Sequence, residues 1–135
     1  MTTSMAGVTG TAPSNRPLYG QTLLLVEDDG LVAMELDELI RDMGGEVVGP
    51  FGRLNRALDA IRQKSITGAV LDIRLDSETT FPIIDLLLER ACPILLVTGG
   101  AAESFPEKYR HLPRLRKPFG EAEFQQRAIG IFGSR

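Results

Sequence analysis

The chain has 135 residues, with 15 Lys and Arg against 18 Asp and Glu for a net charge of −3, one Cys and no Trp. That length suits one domain with one buried core, and a sequence pI near 5.2 denies the basic excess that binding to nucleic acid needs. A single Cys makes neither an internal disulfide nor a Cys-rich zinc site, and apolar runs such as Leu23 to Val26 fall far short of a membrane span.

Residues 1–20 are rich in Thr, Ser, Gly and Pro without an apolar period, and read as a flexible tail ahead of a single domain over 21–135. The tail lacks the long apolar stretch of a signal peptide, so the expected location is the cytoplasm. Leu23 to Val26 is an apolar run without alternation, as expected of a strand covered on both faces. Val32, Leu36, Leu39, Ile40 and Met43 repeat at helical spacing, and Gly44-Gly45 stops that helix. Glu46 to Gly49 reads as a second strand, and Leu54, Ala57, Leu58 and Ile61 mark a second helix. A third strand, Ala69 to Leu71, ends at Asp72. Pro82 to Arg90 reads as a third helix, with Pro82 in a first turn that has no backbone bond to lose. Ile94 to Val97 is a fourth strand, Gly99 to Arg110 a weak fourth helix interrupted by Pro106, Pro113 to Arg116 a fifth strand, and Glu121 to Phe132 a closing helix. Five strand-helix units in this order predict an α/β fold: a five-stranded parallel sheet with helices on both faces. Binding then belongs at the carboxyl ends of the strands.

The residues that follow the strands are Glu27-Asp28-Asp29, Asp72, Thr98-Gly99-Gly100 and Lys117-Pro118, all predicted on one rim. Anions about 4 Å apart repel by roughly 4 kcal/mol at an effective dielectric near 20, so a cluster of Glu27, Asp28 and Asp72 wants a cation. Oxygen ligands with open positions suit Mg²⁺, which commonly bridges carboxylates to a phosphoryl group. Taken alone, Glu27-Asp28-Asp29 reads better as a helix cap and first turn, but capping accounts for neither Asp72 nor Lys117. Asp29 is expected to be the cap. Asp72, at the end of a rigid strand, can be an exposed nucleophile. Thr98 offers a hydroxyl, Gly99-Gly100 a close backbone approach to an anion, and Lys117 a point positive charge, followed by an X-Pro bond that can adopt the cis form.

On these residues the chain resembles a response-regulator receiver domain of two-component signalling, over roughly Gln21 to Phe132. The resemblance implies a flavodoxin-like, doubly wound (βα)5 fold. It makes Glu27 and Asp28 the acid pair of a Mg²⁺ site shared with Asp72 and the backbone carbonyl of Arg74. It makes Asp72 the phosphoacceptor, Thr98 with Gly99 the phosphoryl-binding residues, and Lys117 the lysine of the motif Lys117-Pro118-Phe119. Asp72-Ile73-Arg74-Leu75, Phe81-Pro82 and Val97-Thr98-Gly99 are further similar to the stand-alone single-domain receivers of alphaproteobacteria. The aromatic residue usual after Thr-Gly in that subgroup is Gly100 here, and Arg114 stands three residues before the lysine, where many receivers carry a switching Tyr or Phe.

The implied function is that of a signalling receiver, not an enzyme acting on other substrates. Asp72 takes a phosphoryl group from a histidine kinase or phosphotransfer protein, and the altered conformation regulates a further, unidentified protein, with neither nucleic acid nor membrane as partner. After Lys117-Pro118 the sequence holds enough residues for one helix only, so no output domain is expected. Two other readings stand beside it. A magnesium-dependent aspartyl phosphatase would carry an acid two residues after the nucleophile, where Arg74 stands, and a phosphorylation-independent scaffold would be expected to have lost an acid or the lysine. His111 reads as a surface residue, Cys92 as a small buried one, and Arg53, Arg56, Arg62 and Lys64 as the solvated face of the second helix. Arg114 is expected to face solvent, because burying an unpaired guanidinium costs several kcal/mol, roughly.

Overall fold

A computed structural model describes residues 15–99 and 105–133 of the chain. Its central sheet grows from the apolar runs. Leu23, Leu24, Leu25 and Val26 are each fully buried, and burying one such side chain contributes about 1.5–3 kcal/mol. They form β1 (Thr22–Val26), followed by α1 (Gly30–Asp42), β2 (Glu46–Phe51), α2 (Leu54–Gln63) and β3 (Gly68–Asp72). A small antiparallel ribbon, β4 (Arg74–Leu75) with β5 (Glu78–Thr79), leads into α3 (Phe81–Glu89), β6 (Ile94–Thr98), β7 (Arg114–Arg116) and α4 (Glu121–Phe132). The five-stranded sheet has the order β2-β1-β3-β6-β7 with every pair parallel. The expected α/β architecture is therefore the observed one.

Alternation along the strands divides the core. Leu23, Leu25, Val70, Leu95 and Val97 pack with Leu36, Leu39 and Ile40 of α1 and with Phe124, Ala128 and Phe132 of α4. Leu24, Val26, Ala69, Leu71 and Leu96 pack on the other face with Ala57 and Ile61 of α2 and with Ile83, Ile84 and Leu87 of α3. Gly68 permits the close seat of α4, because a Cβ there would lie 2.6 Å from the Phe132 ring. The chain turns one way from β1 to β2 and the other way from β1 to β3, so the switch point lies where β1 and β3 end.

Four differences from the sequence reading have local causes. Of the fourth helix expected over 99–110, residues 100–104 lie outside the described part. The remainder holds one 3-10 turn, Glu107–Tyr109, which starts after Pro106. Of the tail expected over 1–20, residues 1–14 also lie outside it, but Leu18 is fully buried against α1 and its N–H donates to Met43 O at 2.8 Å, so packing begins before Gln21. The ribbon was not expected, since two-residue strands carry no readable period. Arg114 is half-buried, its guanidinium carbon 4.4 Å from the centre of the Phe105 ring and its Nη2 donating to Arg110 O at 3.3 Å. A flat cation can lie on an aromatic face without an anionic partner, so exposure was not the only way to satisfy it.

Candidate functional site

Each acid of the site is delivered by a strand end. Glu27 directly follows β1, its N–H donates to Phe51 O at 2.9 Å, and its side chain is buried. Asp29 caps α1, accepting from Leu31 N at 3.0 Å and Val32 N at 3.3 Å, as expected. That leaves Asp28 exposed between them, with Oδ2 accepting from the Asp76 amide at the tip of the ribbon, 2.6 Å away. Asp72 is the last residue of β3 and, where the sequence predicted an exposed nucleophile, it is buried, its two oxygens held by the Arg74 amide and the Lys117 ammonium. Glu27, Asp28 and Asp72 each present a carboxylate oxygen, and the three oxygens lie within 4.8 Å of one another.

Lys117 enters this cluster from the end of β7. Its Nζ lies 3.0 Å from Glu27 Oε1 and 3.0 Å from Asp72 Oδ2, and donates to Glu27 Oε2 at 3.1 Å. The Lys117–Pro118 peptide is cis. Thr98 ends β6 in register with Arg116, and its carbonyl accepts the Lys117 N–H at 2.8 Å. Gly99 borders the lysine stem, since a Cβ there would sit 3.9 Å from Lys117 Cδ. Arg74 donates its amide to Asp72 Oδ1 at 3.2 Å, while a ligand role for its carbonyl rests on the resemblance alone.

Of the sequence-predicted residues, Glu27, Asp28, Asp72, Thr98, Gly99 and Lys117 are thus brought to one rim, while Gly100 lies outside the described residues. His111 is exposed, Cys92 half-buried with its thiol pushed up by burial, and Arg53, Arg56, Arg62 and Lys64 are exposed. Sequence reasoning missed Thr80, whose fully buried hydroxyl donates to Asp72 O at 2.7 Å, and Glu78, whose carboxylate reaches the Leu54 amide at the start of α2. A Thr pair before an apolar run signals a helix cap and gives no sign of this longer reach.

Burial raises Glu27 to about 7, with the Asp72 carboxylate adding to the rise, against the Asp29 amide and the Lys117 ammonium. Burial alone pulls Lys117 down, but its hydrogen bonds to Asp72 and Glu27 and their charges hold it above its ordinary value. Three carboxylates against one ammonium leave the cluster short of positive charge. Glu27 Oε1 is buried and, although close to Nζ, has no hydrogen bond. An acceptor left over among hard oxygen donors fits a small divalent cation.

No protein-family model matches the chain. The transcriptional regulatory protein PdtaR of Mycobacterium tuberculosis is 25% identical over 119 residues, 85% of this chain, and the chain spans 57% of that protein's length. The solution structure of SdrG from Sphingomonas melonis Fr1 is similar with a TM-score of 0.72 and 29% identity, covering 84% of this chain and 98% of SdrG. A BeF3-activated conformation of SdrG superposes with a TM-score of 0.66. The response regulator PhyR from Brucella abortus gives a TM-score of 0.72 at 22% identity, over 87% of this chain and 49% of PhyR. In its fold, the chain is similar to response-regulator receiver domains.

Proposed function

We propose that the protein is a phosphoacceptor receiver of a two-component phosphorelay, with Asp72 as the residue phosphorylated. The observation that carries this reading is the meeting of Asp72 and Lys117 at 3.0 Å beside Glu27 and Asp28, four residues from three strand ends, at the switch point of the sheet. A carboxylate so placed is a nucleophile in reach of a donor. Its Oδ attacks the phosphorus of a phosphohistidine on a histidine kinase or phosphotransfer protein. The P–O bond forms as the P–N bond breaks, and the imidazole nitrogen keeps the electron pair and takes a proton from solvent. Mg²⁺ held by Glu27, Asp28 and Asp72, with the Arg74 carbonyl, would neutralise charge on the transferring group. Lys117 is placed to pair with the phosphoryl oxygens in place of the carboxylates, and Thr98 and Gly99 adjoin it on the same rim.

The protein then acts in the cytoplasm by changing conformation, and on substrates other than its own Asp72 it is not an enzyme. Leu31 and Met34 stand exposed on α1, which begins at the acid site, and offer a donor protein an apolar surface. The likeness to SdrG, for which a BeF3-activated conformation exists, supports a phosphoryl-like activator here. Intact-mass measurement after incubation with phosphoramidate and Mg²⁺ tests the reading: one phosphoryl adduct that needs the metal is expected, and its absence overturns the receiver assignment.

A further inference from the structure

We propose that Thr80 is a positioning residue for the phosphoacceptor, its hydroxyl clamping the main chain of Asp72 so that the carboxylate keeps its aim. The inference rests on the receiver reading of Asp72. Thr80 occupies the N-cap of α3, with its carbonyl accepting from Ile83 N at 2.9 Å and Ile84 N at 3.0 Å. A Thr in that place ordinarily turns its oxygen onto the first amides of the helix. Here the side chain makes no such cap and points back along the chain instead. Its Oγ1 donates to Asp72 O at 2.7 Å, with Ile73 O at 3.3 Å, while its N–H donates to Ile73 O at 2.9 Å. Thr80 is fully buried, so water cannot replace this bond.

The clamp reaches the carboxylate through the backbone. β3 fixes the main chain up to Asp72, and the direction of the Asp72 carbonyl sets where Ile73 and Arg74 follow. The Arg74 amide in turn holds Asp72 Oδ1 at 3.2 Å, while Lys117 holds Oδ2 at 3.0 Å. Without the Thr80 hydroxyl the carbonyl is free to turn, the Arg74 amide drifts, and one of the two holds on the nucleophile loosens. Asp72 keeps its charge and its lysine, so what suffers is alignment for attack.

The test compares Thr80→Val, which keeps the shape and loses the hydroxyl, with Thr80→Ser, which keeps it. Phosphorylation by phosphoramidate is followed by intact mass over a range of Mg²⁺ concentrations, with thermal unfolding alongside. A misaligned nucleophile loses about 10- to 100-fold in rate at saturating Mg²⁺ in Thr80→Val, with Thr80→Ser restored to within about 3-fold. A Val variant that is folded and labelled at the wild-type rate overturns the proposal, and so does a Ser variant as slow as Val. If Val does not fold, Thr80→Ala carries the same comparison. Failure of both to fold assigns the hydroxyl to stability and overturns it too. Absence of label on the wild type strikes the receiver reading itself, an outcome distinct from these.

Discussion

Lys117 Nζ and Asp72 Oδ2 meet at 3.0 Å across 45 residues of sequence, although β6 separates the strands that carry them. The lysine therefore spans a strand to reach the acid, and the same ammonium touches both oxygens of Glu27. Charge balance in the cluster depends on this one side chain.

Asp72→Asn keeps an acceptor for Lys117 and removes the nucleophile. Labelling by phosphoramidate should disappear entirely while the circular dichroism spectrum and unfolding midpoint stay close to wild type. Label persisting at the wild-type level on another residue would place the chemistry elsewhere.

Glu27 keeps its proton to about 7 in the folded protein, against an ordinary 4.5 that applies when the chain unfolds. Between those values the native state binds the extra proton, so stability of the metal-free protein falls as pH rises through this window. Lys117, raised above 10.5, stays charged throughout it and adds no slope there. Urea unfolding at about pH 5 and about pH 8 should show the loss, and Glu27→Gln should flatten it. An unchanged slope in Glu27→Gln assigns the titration to another group.

Asp28→Ala removes one carboxylate of the cluster and the acceptor of the Asp76 amide. Relief of repulsion and loss of a hydrogen bond oppose each other, each on the order of 1 kcal/mol at an exposed site, so metal-free stability should stay within about 1 kcal/mol. Calorimetric titration should show weakened Mg²⁺ binding, and amide exchange should quicken at Asp76. Tight Mg²⁺ binding in this variant would remove Asp28 from the ligand set.

Arg114 lies on the Phe105 ring, and Phe105 in turn stands 5.9 Å from Tyr109, whose hydroxyl donates to Asp85 Oδ1 at 2.6 Å. A double-mutant cycle with Arg114→Ala and Phe105→Leu should yield a coupling of about 0.5–1 kcal/mol in unfolding free energy. Amide exchange of Tyr109 and Leu112 should quicken in Arg114→Ala, while phosphorylation of Asp72 proceeds. Zero coupling would reduce the stack to a chance surface contact.

The acids of the rim were legible because they close or follow strands whose apolar runs are unbroken: Glu27 and Asp28 after Leu23 to Val26, Asp72 after Ala69 to Leu71. A parallel sheet then has only one place to put them. Thr80 was not legible, since its partner is a carbonyl eight residues back and no side-chain pattern records a backbone acceptor. Leu18 was hidden for a different reason: it is a lone apolar residue among Pro, Tyr and Gly, and periodicity needs more than one. Arg114 was misjudged because the sequence shows its charge and not the ring of Phe105 beneath it.

At its two margins the central sheet offers little for another strand to join. On one side β2 carries Pro50, which has no amide to donate, and its pairing with β1 is interrupted between Leu24 and Val26. On the other side β7 is three residues long. Sheet extension by a second molecule, the usual hazard of an open parallel sheet, is thereby blunted. Recognition is left to side chains on helices and loops, and these can be exchanged for new ones without disturbing the strands that hold the acids and the lysine together.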